Sequence, residues 1–152
     1  VGISFDVQSM RYTGKRVAAV ATDKLGVEDV FYFRSVGNYA DRFGKKYAYS
    51  KKMRETDMQV AKQMSTIYGY KLQEGFAEEH ARGMLPFDYR QNFVLSFNLR
   101  SAMHFLDLRS KLDAQAEIID LCNLMVPLLQ KWAPEVMNYY IEKRLGRARL
   151  SP

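Results

Sequence analysis

The stretch Ser50–Gly75, SKKMRETDMQVAKQMSTIYGYKLQEG, limits what this chain can fold into more than any other. Ser is a residue type that caps free N–H groups at a helix start, and Gly one that ends helices. Between them Met53, Val60, Met64, Ile67 and Leu72 recur at roughly helical spacing, which predicts one long amphipathic helix. The segments that follow are also helical in pattern. AEEHARGML (77–85) reads as a short helix ended by Pro86, and Asn98–Arg109 as a helix. DAQAEIIDLCNLMVPLLQKWAP (113–134) reads as a long helix with Pro127 as a kink or break. A last helix covers about 135–144, and the basic tail KRLGRARLSP is expected to be loose at its end.

Before Ser50 the pattern differs. Residues 1–22, around RYTGKR, read as an extended segment with a turn at Gly14. EDVFYFRSV (28–36) is β-branched and aromatic and reads as a strand. GNYADRFGKKYAYS (37–50) reads as a hairpin with Gly44 at its turn. YRQNFVLSF (89–97) fits a strand or a helix start. No repeat, no low-complexity stretch and no phosphate-loop spacing of glycines is present. The fold class read from these elements is mixed, helix-rich α+β.

At 152 residues and 47% hydrophobic, the chain is long enough for one domain with a real core. Its net charge of +6 suits an anionic partner: nucleic acid, nucleotide, phosphate or membrane surface. The single Cys122 excludes an intrachain disulfide framework and a cysteine-based zinc site. Set among Leu121, Leu124 and Met125, it reads as a buried, inert thiol. No run is long and apolar enough to span a bilayer, and no signal peptide is visible. A reducing, soluble compartment is expected, most simply the cytoplasm. Val1 stands inside what reads as an ordered segment, so residues upstream of it are expected.

The helix Asn98–Arg109 carries more donors than a core helix needs. Asn98 stands where it can cap the helix start. Arg100 and His104 are four apart and share a face, whereas Arg109 projects roughly 140° around from His104. Arg100 could pair with a carboxylate elsewhere, and Asp107 and Arg109 could sit in solvent, but together the cations offer two surfaces. Guanidinium suits phosphate or carboxylate recognition. In SFDVQSMRYTGKR (4–16), Ser9 and Arg11 alternate along the chain read as extended. They form either a phosphate grip or ordinary surface. In EEHARGMLP (78–86), Arg82 lies four after Glu78, the spacing of a helical ion pair. His80 reads as a switch or a ligand, yet two histidines without HExxH spacing make no metal site.

These segments occur together in one family, and the chain resembles the flavin-dependent thymidylate synthases from residue 1 to about 145. Their signature runs Arg-His-Arg, two residues, Ser, one residue, Asn-Glu, one residue, Ser, one residue, Arg-Tyr. SFDVQSMRY is similar to its second half, matching at Ser4, Ser9, Arg11 and Tyr12. EEHARGMLP, and NLRSAMHFLDLR followed by DAQAEI, are similar to two later family blocks. The resemblance implies a central antiparallel sheet flanked by helices, a helix-rich C-terminal half, and a single domain over residues 1–152 that continues upstream. It implies a homotetramer with active sites between subunits, and binding of neither nucleic acid, membrane nor metal. It implies conversion of dUMP to dTMP, with methylenetetrahydrofolate as carbon donor and NADPH-reduced FAD as hydride source. By position, dUMP binding falls on Ser9, Met10 (through its backbone), Arg11, Arg82 and Arg109, with Arg109 as the catalytic residue. FAD binding falls on Asn98, Arg100, His104 and Gln8, His104 standing where relatives often have Asn. No acidic or basic neighbour suits Cys122 to the nucleophile role of the classical synthase.

The chain departs from the pattern in two places. The Arg-His-Arg half of the signature is absent, so a chain truly starting at Val1 is expected to turn over weakly or not at all. The Asn-Glu pair falls on Asp6-Val7, with Gln8 one place later. Either a one-residue adjustment lets Gln8 serve, or the acidic role is lost. Two competing classes remain. One is a basic nucleic-acid-binding module using Lys143, Arg144, Arg147, Arg149 and the Lys45–Lys46 patch with Tyr47 and Tyr49. The other is a non-catalytic flavin-binding protein.

Overall fold

Ser9 sets the course of the first helix. Its Oγ accepts a hydrogen bond from the Arg11 N–H at 3.3 Å and caps α1, Met10–Ala21. Before it, Ile3–Val7 forms strand β1. The expected turn at Gly14 is therefore corrected to a continuous helix. Its inward residues Thr13, Gly14, Val17 and Val20 are buried at helical spacing, and that burial outweighs the weak helix propensity of β-branched residues. The strand expected over 28–36 is corrected as well. Val27–Val30 forms the short helix α2, with Glu28 and Asp29 at its N-terminal end, where carboxylates are favoured. Phe31 alone makes a bridge, to Tyr89.

The computed structural model describes residues 2–41, 43–111 and 114–147. After α2 come strands β2 (Gly37–Ala40) and β3 (Lys46–Tyr49), then α3 (Lys51–Gln73), α4 (Glu78–Ala81), a 3-10 turn (Arg82–Met84) and β4 (Phe93–Phe97). Helices α5 (Leu99–Arg109), α6 (Ala116–Trp132) and α7 (Pro134–Lys143) follow. The fold is α+β with a helix-rich C-terminal half, and its antiparallel sheet content is two separate pairs, β1 with β4 and β2 with β3. The β2–β3 connection turns at Gly44, whose φ of 81° is left-handed and suits glycine. Asp41 Oδ1 ties that turn by accepting from the N–H groups of Phe43 and Lys45. Pro127 does not break α6. It and Asn123, whose carbonyl it leaves without a helical donor, are both exposed, so water can serve that oxygen.

The chain divides into two compact units. One comprises Phe5–Tyr39 and Ala48–Val94, the other Val1–Ser4, Ala40–Tyr47 and Leu95–Pro152. In the first, Val17 and Val20 of α1 pack with Ala61 and Tyr68 of α3, Val30, Phe31 and Ala81. Ser50 caps α3 as expected, accepting from the Met53 N–H, and Gly75 takes a positive φ just beyond its end. The face that α3 buries differs from its apolar stripe. Met53, Val60 and Ile67 are exposed while Ala61, Ser65 and Tyr68 are buried. Small residues let α1 come close, and Tyr68 reaches over Gly14. The second unit buries Leu106, Met137, Tyr140 and Cys122, the cysteine as expected, with Leu99, Met103 and Phe105 of α5 packed beside them.

Tyr68 Oη is buried without a hydrogen-bond partner among the described residues, and burial pushes its pKa up. An orphaned hydroxyl costs free energy. Tyr68→Phe is therefore expected to stabilise the protein by about 1 kcal/mol, read as a raised midpoint in urea.

Candidate ligand-binding site

Helix α5 presents one polar face. Asn98 Oδ1 caps it by accepting from the Ser101 N–H at 2.9 Å, which leaves the Asn98 amide N–H₂ available. Arg100, His104 and Asp107 follow at helical spacing on the same side. A cavity of about 530 Å³ opens there, lined by Asn98, Arg100, Ser101 and His104 of α5 and by Tyr140 and Arg144 at the end of α7. Three of the expected flavin residues thus line one cavity. Arg109 projects from α5 elsewhere and is exposed.

Asp107, which the sequence left as a possible solvated charge, is corrected to a buried carboxylate with a side chain 1% exposed. Its Oδ2 accepts from Arg144 Nε at 2.9 Å and Nη2 at 2.8 Å, and its Oδ1 lies 3.0 Å from the Tyr140 hydroxyl. That hydroxyl also lies 3.1 Å from the Met103 carbonyl oxygen. Burial, then the hydrogen bond and charge of Asp107, push the Tyr140 pKa well above its ordinary 10.0. The sign follows from proton counting. Below the ordinary tyrosine pKa the group is protonated in both states and its contribution is complete. Above it the unfolded chain releases the proton first, so stability falls as pH rises. The thermal midpoint is expected to drop above about pH 10, less steeply in Tyr140→Phe. Tyr49 and Tyr68 add to the drop, Tyr49 pushed up to about 12 by burial and by Asp57, to which it donates.

In the other unit, Arg11 follows the Ser9 cap, and its Nε lies 3.5 Å from Ser9 Oγ. Ser9 and Arg11 are neighbours through a helix cap, which corrects the expected strand alternation. Arg82 opens the 3-10 turn, is exposed, and makes no ion pair with Glu78. Gln8 follows β1, its N–H donating to the Asn92 carbonyl at 3.1 Å and its own carbonyl accepting from Gln91 Nε2. The dUMP set is thus divided, with Ser9, Met10, Arg11 and Arg82 in one unit and Arg109 in the other. A second cavity, about 380 Å³, lies between Phe31–Arg34 and Tyr49, Asp57 and Pro86, and holds none of the residues expected at dUMP or FAD.

Several arginines are held within the chain. Arg16 donates to the Asp29 carbonyl, Arg54 pairs with Glu28, Arg90 donates to the Phe31 carbonyl, and Arg144 pairs with Asp107. Arg11, Arg82, Arg100 and Arg109 make no ion pair among the described residues. These four are the arginines that the resemblance assigned to ligands. The basic run proposed for nucleic acid is partly neutralised, since Lys143 pairs with Glu142 at 2.5 Å and Arg144 with Asp107. Arg149 lies outside the described residues. Sequence reasoning missed Tyr140 and Arg144 as cavity residues, although their four-residue spacing on one helix was the available signal.

Among the described residues no helix is long and apolar enough to cross a membrane, and no cluster of three His, Cys, Asp or Glu could hold a metal ion. The fold is shared with thymidylate synthase X from Helicobacter pylori, a structure solved with FAD and dUMP. The TM-score is 0.60 at 19% identity, over 82% of this chain and 55% of that one. Flavin-dependent thymidylate synthase from Haloarcula marismortui is 32% identical over 99% of this chain and 63% of its own length. The enzyme from Halobacterium salinarum is 34% identical over 98% of this chain and likewise 63% of its own length. The chain thus spans just under two thirds of these relatives. The family model for thymidylate synthase complementing protein, Thy1, matches residues 1–135. With that match over most of its length, the chain belongs to the Thy1 family.

Proposed function

We propose that this chain is the greater part of a flavin-dependent thymidylate synthase, an FAD-dependent methyltransferase that converts dUMP to dTMP. The observation that carries the reading is that the four arginines at the positions where the family's nucleotide and flavin residues fall make no ion pair among the described residues. Unpaired guanidinium groups at the surface are free to grip phosphate oxygens. FAD fits the α5 cavity chemically: Arg100, the Asn98 amide and the His104 ring supply donors, and Met103 supplies an apolar wall. When bound, FAD supplies the hydride that completes the methyl group, after reduction by NADPH and with methylenetetrahydrofolate as the one-carbon donor.

The chain's own residues bind and orient. Ser9, the Met10 backbone, Arg11, Arg82 and Arg109 hold dUMP, and Gln8 joins Asn98, Arg100 and His104 at the flavin. A pyrimidine gains negative charge as it is attacked or reduced, and the Arg109 guanidinium stabilises that charge. In this proposal both units serve one catalytic domain, and the enzyme is a cytoplasmic homotetramer with active sites at subunit interfaces. Leu124, Leu128 and Trp132 support an assembly, since each is about two-thirds exposed on α6 and a row of that kind is covered by a partner in stable oligomers.

The test is a visible absorption spectrum of the purified protein with FAD, before and after dUMP. A bound-flavin spectrum that dUMP perturbs is the expected result. A protein, extended upstream of Val1, that takes up no flavin would sink the reading.

A further inference from the structure

We propose that Arg144 is an additional anion-binding residue of the α5 cavity, aimed by Asp107 and Tyr140 at a phosphate of the bound flavin nucleotide. The proposal rests on the flavin reading above. Its geometry comes from one unit alone, because Arg100, His104, Asp107, Tyr140 and Arg144 all belong to the Leu95–Pro152 segment. Arg144 lines the same cavity as Arg100 and His104. A guanidinium has five N–H donors. Asp107 Oδ2 takes one from Nε and one from Nη2. Both N–H groups on Nη1 and the second on Nη2 remain.

The exposure is asymmetric in a way a structural ion pair does not need. The Asp107 side chain is 1% exposed and that of Arg144 57%. The carboxylate is sunk in the core and the guanidinium stands at the cavity wall. Tyr140 fixes the other carboxylate oxygen at 3.0 Å, so the anchor cannot swing. A tethered arginine has lost its rotamer freedom before any ligand arrives, which lowers the entropic cost of gripping an anion. Spacing completes the arrangement. Asp107 lies seven residues after Arg100 on α5, on the same face, so the residue it anchors stands beside the cations already assigned to the flavin.

The charge balance defines the ligand group. Asp107 cancels one positive charge, so Arg144 contributes directed N–H donors more than net attraction. Such donors suit a phosphate oxygen better than the neutral isoalloxazine ring. The contribution therefore separates phosphorylated from unphosphorylated flavins.

The experiment measures dissociation constants for FAD, FMN and riboflavin by flavin fluorescence, in the parent protein and in Arg144→Ala, with a melting curve for each. The expected result is FAD and FMN affinity lowered about 10- to 100-fold, with riboflavin affinity unchanged. Equal FAD affinity in parent and variant overturns the assignment and leaves the flavin reading standing. Equal losses for all three flavins also overturn it, since they mark a merely structural role. A parent that binds riboflavin but gains nothing from its phosphates overturns it as well. A parent that binds no flavin overturns the reading and the assignment together. Should Arg144→Ala lose its fold, Arg144→Gln answers the same question, because its amide still donates to Asp107 while the guanidinium donors are gone.

Discussion

Arg109→Ala is expected to lower dTMP formation by about 10²- to 10³-fold while leaving FAD binding unchanged. Arg109 stands on α5 away from the face that carries Arg100 and His104, and no carboxylate among the described residues claims its charge. Removing it takes away a cation, the kind of group whose loss costs most when charge builds up in a transition state. Because the side chain is exposed, little stability depends on it. The measurement is tritium release from labelled dUMP, alongside flavin titration. Loss of flavin in parallel with activity would place Arg109 in cofactor binding instead. Activity within a few-fold of the parent would remove it from the catalytic role.

Gly14→Ala is expected to destabilise the protein by about 2 kcal/mol, although alanine favours a helix over glycine by nearly 1 kcal/mol. A Cβ at Gly14 would stand 2.1 Å from Tyr68 Oη and 3.2 Å from Cζ. Tyr68 is fully buried and has nowhere to retreat. Overpacking therefore outweighs propensity, and the thermal midpoint falls by about 4–8 °C for a chain of this size. The double variant Gly14→Ala/Tyr68→Phe recovers most of the loss, because the atom in closest conflict is gone. A single variant as stable as the parent would show that α1 and α3 can separate freely.

The sequence disclosed these features unevenly, for physical reasons. Helix α5 and its cap were legible because Asn98, the apolar spacing and the donors all sit within one local segment. So were α3 and the Gly44 hairpin, whose signals are capping and turn chemistry. Helix α1 was not legible. Gly14 has the look of a turn residue, and the reason a glycine is needed there is Tyr68, more than fifty residues away. The buried face of α3 was misjudged because large apolar residues mark a stripe, while the contact with α1 is made through Ala61 and Ser65. The assignment of Arg11, Arg82, Arg100 and Arg109 to ligands came from the resemblance; what the structure adds is that none of them makes an ion pair among the described residues. Asp107 looked like a surface charge because its partners stand on another helix.

That distance also has a consequence for biosynthesis. Asp107 and Arg144 are 37 residues apart in the chain. While the protein is being made, α5 leaves the ribosome carrying a carboxylate that cannot be buried without its counter-charge. Only when the end of α7 emerges can that carboxylate enter the core and the wall of the cavity be completed. On the flavin reading proposed above, a ribosome stalled before Arg144 would display a nascent chain whose cavity wall is incomplete and whose grip on the flavin phosphates is weakened.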